Sequence, residues 1–535
     1  MRKLSIVVLL LSFNCQIFAQ GTISGDFMMN MNFFQRDSSI KASGNPLYDN
    51  YLSGNEGWLD LRYSNNGFTI FTRIDGFDNS NLYNPTQAMT GVGIGAWSVS
   101  KEINKDLTVT GGYIYDQIGS GLLFRAYEDR GLLIDNALVG FELKYKLTDN
   151  LMVKGFSGQQ KYLFSKYGPV IKGVNAEGDF NVGKGHVLPG IGILNRTLDQ
   201  TSMNTVVDAI NSQDLSTRFV PMYNMYAYTL YNTLTIGSFS WYVEGAYKTH
   251  EAIVGLDNLL VDKPGNSQFT TIGYAKKGIA VNFTGKRTEN FVMRTSPNEI
   301  LLNGMLNWQP IVARIRPQRL MSRYTPASQD ISEMAEGMDL LIAPNDFLSI
   351  TTNYTHITTL DNIELYNEIY GEANYQMDSW VLEGGCQILD YNRELYQVHP
   401  GAPMVHAITP FADITYKITK KKSIRAEFQY MSTQQDYGSW VFALLEYNIA
   451  PKWSVSASDM YNIAPNSNSD NPNYVGPGIT PKANHYYNVF TSYTKGPHRF
   501  TIAYVKQVDG INCTGGVCRY EPAFSGVKAT ITSSF

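Results

Sequence analysis

Long stretches of this chain alternate apolar and polar side chains with a period of two, which constrains its fold more than any motif it carries. From Asn136 to Leu147 the odd positions are Ala137, Val139, Phe141, Leu143, Tyr145 and Leu147, while the even ones include Gly140, Glu142, Lys144 and Lys146. Successive side chains of an extended strand point to opposite faces, so this window presents one apolar and one charged face. The split recurs in Phe239, Trp241, Val243 and Tyr247 against Ser240, Glu244 and Lys248. It returns in Ile424, Ala426, Phe428 and Tyr430 against Arg425, Glu427 and Gln429. A helical period fits none of these windows.

Two kinds of connection separate the windows, and they alternate. One is a few residues of turn chemistry, as in Asn65-Asn66-Gly67, Asn104-Lys105-Asp106, Thr148-Asp149-Asn150, Lys276-Lys277-Gly278 and Lys495-Gly496-Pro497. Asn-Gly and its relatives supply the positive φ angles of tight hairpins. The other is long and rich in Gly, Asn, Pro and Ser, as in 36–56, 78–89, 199–218, 289–333, 392–403, 462–483 and 509–522. Antiparallel strands with short turns on one side and long loops on the other describe a membrane β-barrel. Counting from a first strand at 22–34 predicts a single closed transmembrane antiparallel barrel of about 24 strands, within roughly 20–26, with both termini on the short-turn side. The competing reading is a large soluble all-β protein. Its strands average about five to six residues, and its loops have no reason to alternate.

The first residues read as a leader: Met1-Arg2-Lys3, an apolar run from Ile6 to Phe13, and an ending at Ala19-Gln20. Residues 1–20 are therefore predicted to be a cleaved signal peptide, and 21–535 the barrel. A lipid-modified Cys15 fits poorly, because Ser12-Phe13-Asn14 before it is bulky and polar. Aromatic residues make up 13% of the chain against 17% charged, with 35 tyrosines, as expected where rings gather at two membrane interfaces. The formal net charge of −4 gives no reason to expect nucleic acid as a partner. Cys513 and Cys518 enclose Thr-Gly-Gly-Val and are predicted to form a disulfide at a loop tip.

The last strand, Val527 to Phe535, alternates and ends on an aromatic residue. That ending resembles the C-terminal signal by which outer-membrane barrels are recognised for assembly. With the Ala-Gln leader end, the many tyrosines and the Asn-rich loops, the chain resembles porin-like outer-membrane β-barrel proteins of the Bacteroidota, an uncharacterised family. The resemblance implies an outer-membrane location, with membrane lipid, lipopolysaccharide and the barrel-assembly machinery as partners, other outer-membrane subunits among the candidates, and Phe535 as the assembly signal.

No motif of catalysis stands out. His250-Glu251 lacks a second histidine at zinc-site spacing, and Gly91-Val92-Gly93-Ile94-Gly95 and Gly183-Lys184-Gly185 lack the Lys-Ser/Thr of a phosphate loop. No enzyme activity, cofactor or metal is expected, although rim residues that meet only in three dimensions leave a barrel enzyme as an alternative. Loop 289–333 carries Arg314, Arg316, Arg319 and Arg323 with no acidic residue between Ile300 and Gln329. Three readings stand: an anion-attracting constriction if the loop enters the lumen, a grip on lipopolysaccharide phosphates if it stays outside, or a solvated loop. The neighbouring Leu301, Leu302, Met305, Trp308, Ile311 and Val312 favour packing inward or against a partner. The segment Gly119–Arg130 reads as an inward plug or as a loop pairing its own charges. Glu364, Glu368, Glu372 and Glu383, opposed to Arg62 and Arg73, read as a transverse field across a lumen or simply as its wet wall. A porin-like channel for small solutes is the leading expectation. A non-transporting subunit of an outer-membrane assembly for secretion, barrel insertion or glycan handling is the alternative.

Overall fold

The computed structural model describes residues 21–82, 87–255, 259–300 and 302–535; the expected leader and Leu301 lie outside them. The alternating windows form one antiparallel sheet that closes on itself. Its first strand, Thr22–Phe34, pairs with Ser53–Asn65 on one side and with Phe524–Ser534 on the other, from Asp26 opposite Ser534 to Phe34 opposite Gly526. Among the described residues the sheet has 25 strands, of which Phe180–Val182 merely continues Ser165–Gly178 past Asp179, so the wall is a 24-stranded barrel. Closure leaves the barrel wall without a free edge among the described residues.

The wall is sided as the connections predict. Asn66 and Gly67, with φ of 47° and 75°, make the two-residue turn between Asn65 and Phe68, a conformation that glycine and asparagine adopt readily. Thr22 pairs with Ser64 beside that turn, and Phe535 exchanges backbone hydrogen bonds of 2.8 and 2.9 Å with Gly25, so both described ends lie on the short-turn side. The opposite rim is less regular than the sequence suggests. Leu163-Phe164 alone joins Leu151–Tyr162 to Ser165–Gly178, and only residues 360–363 join Leu348–Thr359 to Glu364–Gln376.

Strand alternation sorts the side chains. Phe428 faces outward and is 53% exposed, whereas its neighbours Glu427 and Gln429 face inward and are buried. Leu230, Ile388, Leu445 and Ile502 likewise stand on the outer surface. Near the short turns the outer face carries paired rings, Trp380 with Tyr416 at 4.4 Å and Trp453 with Tyr493 at 4.6 Å. An apolar outer wall edged by aromatic rings suits lipid rather than water.

The hydrophobic core lies inside the barrel, because three long loops fold into it. Residues 115–137, 290–332 and 508–523 interlock: Trp308 donates its backbone N–H to Gly121 O (3.0 Å) and its indole Nε1 to Gly515 O (2.8 Å). Asn307 donates to Leu122 O and Arg519 to Leu132 O. Leu132, Ile134, Met305 and Val517 make one buried cluster between the loops, and Ile118, Leu123, Phe124, Phe291, Met293 and Leu306 are part of another. Each such side chain contributes roughly 1.5–3 kcal/mol on burial, so the loops hold one another in place as a plug.

Candidate functional site

Loop 290–332 enters the lumen, and there the wall neutralises most of its arginines. Arg314 is bound to Asp339 through Nε at 3.0 Å. Arg316 makes a two-pronged pair with Glu368 (both contacts 3.0 Å), donates to Asn353 at 2.7 Å and lies 3.6 Å over the ring of Tyr370. Arg323 pairs with Asp436 at 3.4 Å and lies over Trp440. The four guanidinium groups therefore do not form a bare ring: three fasten the loop to wall or rim. Arg319 differs. Among the described residues its side chain has no hydrogen-bond, carboxylate or ring partner, and it borders a cavity of about 710 Å³.

Of the opposed charges expected to set up a transverse field, two are paired and four are not. Arg73 and Glu368 do lie on strands far apart around the wall, but each is already paired. Glu372 accepts from the Tyr370 hydroxyl (2.5 Å) and Glu383 from Asn374 (3.2 Å), while Glu364 Oε1 is buried without a partner. Arg62 faces the open lumen with its guanidinium 5.8 Å from the Phe71 ring. Pairing cancels the field of Arg73 and Glu368 at a distance, whereas Arg62 on one side and Glu364, Glu372 and Glu383 on the other have no ion-pair partner among the described residues.

One cluster was not singled out from sequence. Arg73 holds Asp75 (2.7 Å), Glu128 (3.0 Å) and Asp135, and Lys161 also binds Asp135. Arg130 bridges Glu128 (2.8 Å) to Asp60 (2.7 Å). Asp75, Lys161 and Asp60 belong to the wall, whereas Glu128, Arg130 and Asp135 belong to the loop 115–137, so this is a latch between plug and wall. Burial opposes charge on Asp135, yet Lys161 and Arg73 more than compensate and hold its carboxyl below 3.8. Gly119–Arg130 thus does both things expected of it: it folds inward, and its charges pair partly among themselves.

Four spaces inside the barrel share lining residues in succession from the long-loop side to the short-turn side. The 710 Å³ cavity on the long-loop side shares Gly131, Glu521 and Lys528 with a cavity of about 250 Å³. That cavity shares Arg130 and Leu133 with one of about 70 Å³, which in turn shares Arg73 and Glu128 with a vestibule of about 950 Å³ on the short-turn side. The smallest of the four, about 70 Å³, is lined by the latch and has room for a handful of waters.

Cys513 and Cys518 are bonded to each other (S–S 2.06 Å) at the tip of the hairpin 510–521, beside Gly515. Phe535 lies with its ring against Gly25. Among the described residues no three His, Cys, Asp or Glu side chains converge as metal ligands.

Over residues 1–535 the chain matches a family described as "Family of unknown function (DUF6029)". No curated protein matches it. Among solved structures it is similar to the translocation pore of the P pilus usher PapC, at a TM-score of 0.45 and 10% identity, over 96% of this chain and 99% of that one. It is also similar to the ferric enterobactin receptor PfeA from Pseudomonas aeruginosa, as a mutant (TM-score 0.44, 8% identity, 96% and 80% covered). The siderophore receptor PirA from the same organism gives 0.42 and 7%, again over 96% and 80%. Likenesses of this size carry no argument about what this chain does.

Proposed function

The chain belongs to DUF6029, a family of unknown function, and from its geometry we propose that it is a self-plugged outer-membrane channel passing small polar solutes between plug and wall. The succession of cavities that share lining residues from the long-loop chamber to the short-turn vestibule carries this reading. A barrel this wide needs a plug to be selective, and the interlocked loops supply one from the same chain. The apolar outer wall and its aromatic rings favour the outer membrane, with the short turns in the periplasm. Membrane lipid and lipopolysaccharide are then its surroundings, and Phe535 is the residue offered to the assembly machinery.

The latch is the gate on this reading. Reconstituted in planar bilayers, the protein gives small, discrete conductance steps, and Arg130→Ala, which removes the bridge from Glu128 to Asp60, enlarges them. Bilayers that stay silent with both proteins refute the channel.

A second reading, a non-transporting subunit of a larger outer-membrane assembly, is favoured by one feature of the long-loop rim. Leu215, Val220 and Met222 stand exposed in the segment after the helix Gln200–Asn211. Silent bilayers together with co-purifying outer-membrane subunits support it.

A further inference from the structure

The chamber beside Arg319 is built differently from the rest of the plug. Four cations line it, Arg319, Arg323, Arg393 and Lys528, against three carboxylates, Asp436, Asp509 and Glu521. All three carboxylates are occupied. Asp436 is shared by Arg323 and Arg393 (3.4 and 3.1 Å) and also accepts from the Tyr324 hydroxyl. Asp509 accepts from the hydroxyls of Tyr437 (2.5 Å) and Tyr520 (3.0 Å). Glu521 stands between Arg519 and Lys528. The lining thus carries a formal excess of one positive charge, and of its four cations Arg319 alone has no partner among the described residues, Lys528 lying 4.4 Å from the centre of the Phe524 ring.

Partial burial thins the water around the guanidinium's five donors, so an anion in the chamber that replaces that water is favoured. Burial and the neighbouring Arg323 pull Arg319 down to about 10, which still leaves it fully charged at neutral pH. The chamber's volume of about 710 Å³ falls within the roughly 300–1,000 Å³ of small-molecule sites. The walls add aromatic faces from Tyr437 and Tyr520, suited to the apolar side of a compact solute.

We propose that this chamber is a binding site for a small solute carrying one anionic group, a carboxylate or a phosphate, which pairs with Arg319. The site rests on the channel reading for what happens to the solute afterwards, but binding itself does not require permeation. Arg319 offers two parallel N–H donors, the geometry that both kinds of anion accept. Arg314 and Arg316 are each held through two nitrogens by a wall carboxylate, and Arg323 is drawn to Asp436 and the ring of Trp440, so Arg319 is the guanidinium left for a solute.

Calorimetry on the full chain in detergent, with gluconate, glucose 6-phosphate and glucose as probes, tests the site. Gluconate or glucose 6-phosphate, or both, bind the unaltered protein more tightly than glucose, and which of them binds identifies the group. Arg319→Gln weakens that binding by about ten- to a hundred-fold, the loss of one charge-assisted contact. Arg319→Lys restores part of it. Heat-modifiable gel mobility checks that each variant is a folded barrel, and if Arg319→Gln is not, Arg319→Ala takes its place. Glucose binding as tightly as the charged probes, or charged-probe affinity indifferent to Arg319, overturns the proposal. Uptake of the same probes into proteoliposomes separates the two readings. Arg319-dependent binding without uptake keeps the site and refutes the channel, whereas uptake with Arg319-independent binding does the reverse.

Discussion

Replacing Arg316 by methionine removes a cation from a place where its partner cannot reach bulk water. Glu368 is fully buried, and the Arg316 side chain is only 10% exposed. After Arg316→Met the carboxylate keeps its 2.7 Å contact with Gln387 but loses both guanidinium prongs. Removing one partner of a buried pair typically costs about 3–5 kcal/mol. Losing the guanidinium from the face of Tyr370 adds about 0.5–2 kcal/mol. About 3 kcal/mol, the low end of the buried-pair range, is enough to decide the outcome. That shifts the opening equilibrium of the loop by about two orders of magnitude. Hydrogen exchange reads it directly, since the Leu320 amide donates to Gln429 on the wall at 2.8 Å and is released when the segment lifts. A peptide covering 314–324 should exchange about a hundred times faster, while wall peptides such as 440–449 are unaffected. Adding Glu368→Leu removes the stranded carboxylate and recovers most of the protection. Unchanged exchange in the single variant, or a double variant as labile as the single, refutes the view that this pair fastens the plug.

Three further perturbations test wall and latch. Gly526 has φ +140°, and a Cβ there would collide with the Phe33 carbonyl across the closing seam, so Gly526→Ala should abolish most of the heat-modifiable barrel band; a normal band contradicts the seam geometry. Phe535→Ala removes the ring resting on Gly25 and should slow acquisition of protease resistance in a pulse-chase assay, and an unaltered rate speaks against its assembly role. Asp135 has a folded pKa held below its unfolded value of 3.8, so its contribution to the latch is complete above that pH and disappears as pH falls through the depressed value. The part of the conductance that Asp135→Asn alters should stay constant from neutrality down to pH 3.8 and rise only below it; an Asp135-dependent step near neutrality contradicts the assignment.

The wall was legible in the sequence because its signals are local. A period of two shows within a dozen residues, as in Asn136 to Leu147, and a turn such as Asn66-Gly67 needs particular φ angles that few residues supply. The cysteine pair was legible for the same reason. The plug was half legible. Met305 and Val312 are buried and Trp308 partly so, as the apolar run beside the arginines suggested. Their neighbours' partners were hidden: Arg314 and Asp339 are separated by 25 residues, Arg316 and Glu368 by 52, and Arg323 and Asp436 by 113. A carboxylate on the polar face of a strand has the same sequence pattern whether it meets water or a guanidinium. The latch of Arg73, Lys161 and Asp135 was invisible for that reason, and so was the distinction of Arg319, which depends on what surrounds it.

The seam between Thr22–Phe34 and Phe524–Ser534 also sets an order of assembly. Until the later strand arrives, the earlier one exposes a row of unpaired N–H and C=O groups to any other strand that passes. Joining two segments so far apart adds little in entropy, about 0.6 kcal/mol per doubling of the intervening length, but such long-range pairing is slow. The hairpin 510–521, whose Gly515 and Arg519 lock the other two inward loops, precedes that final strand by only a few residues. Ring closure and plug completion thus fall at the same late moment. A half-assembled barrel is sticky at its edge and open through its middle, and a single event ends both hazards.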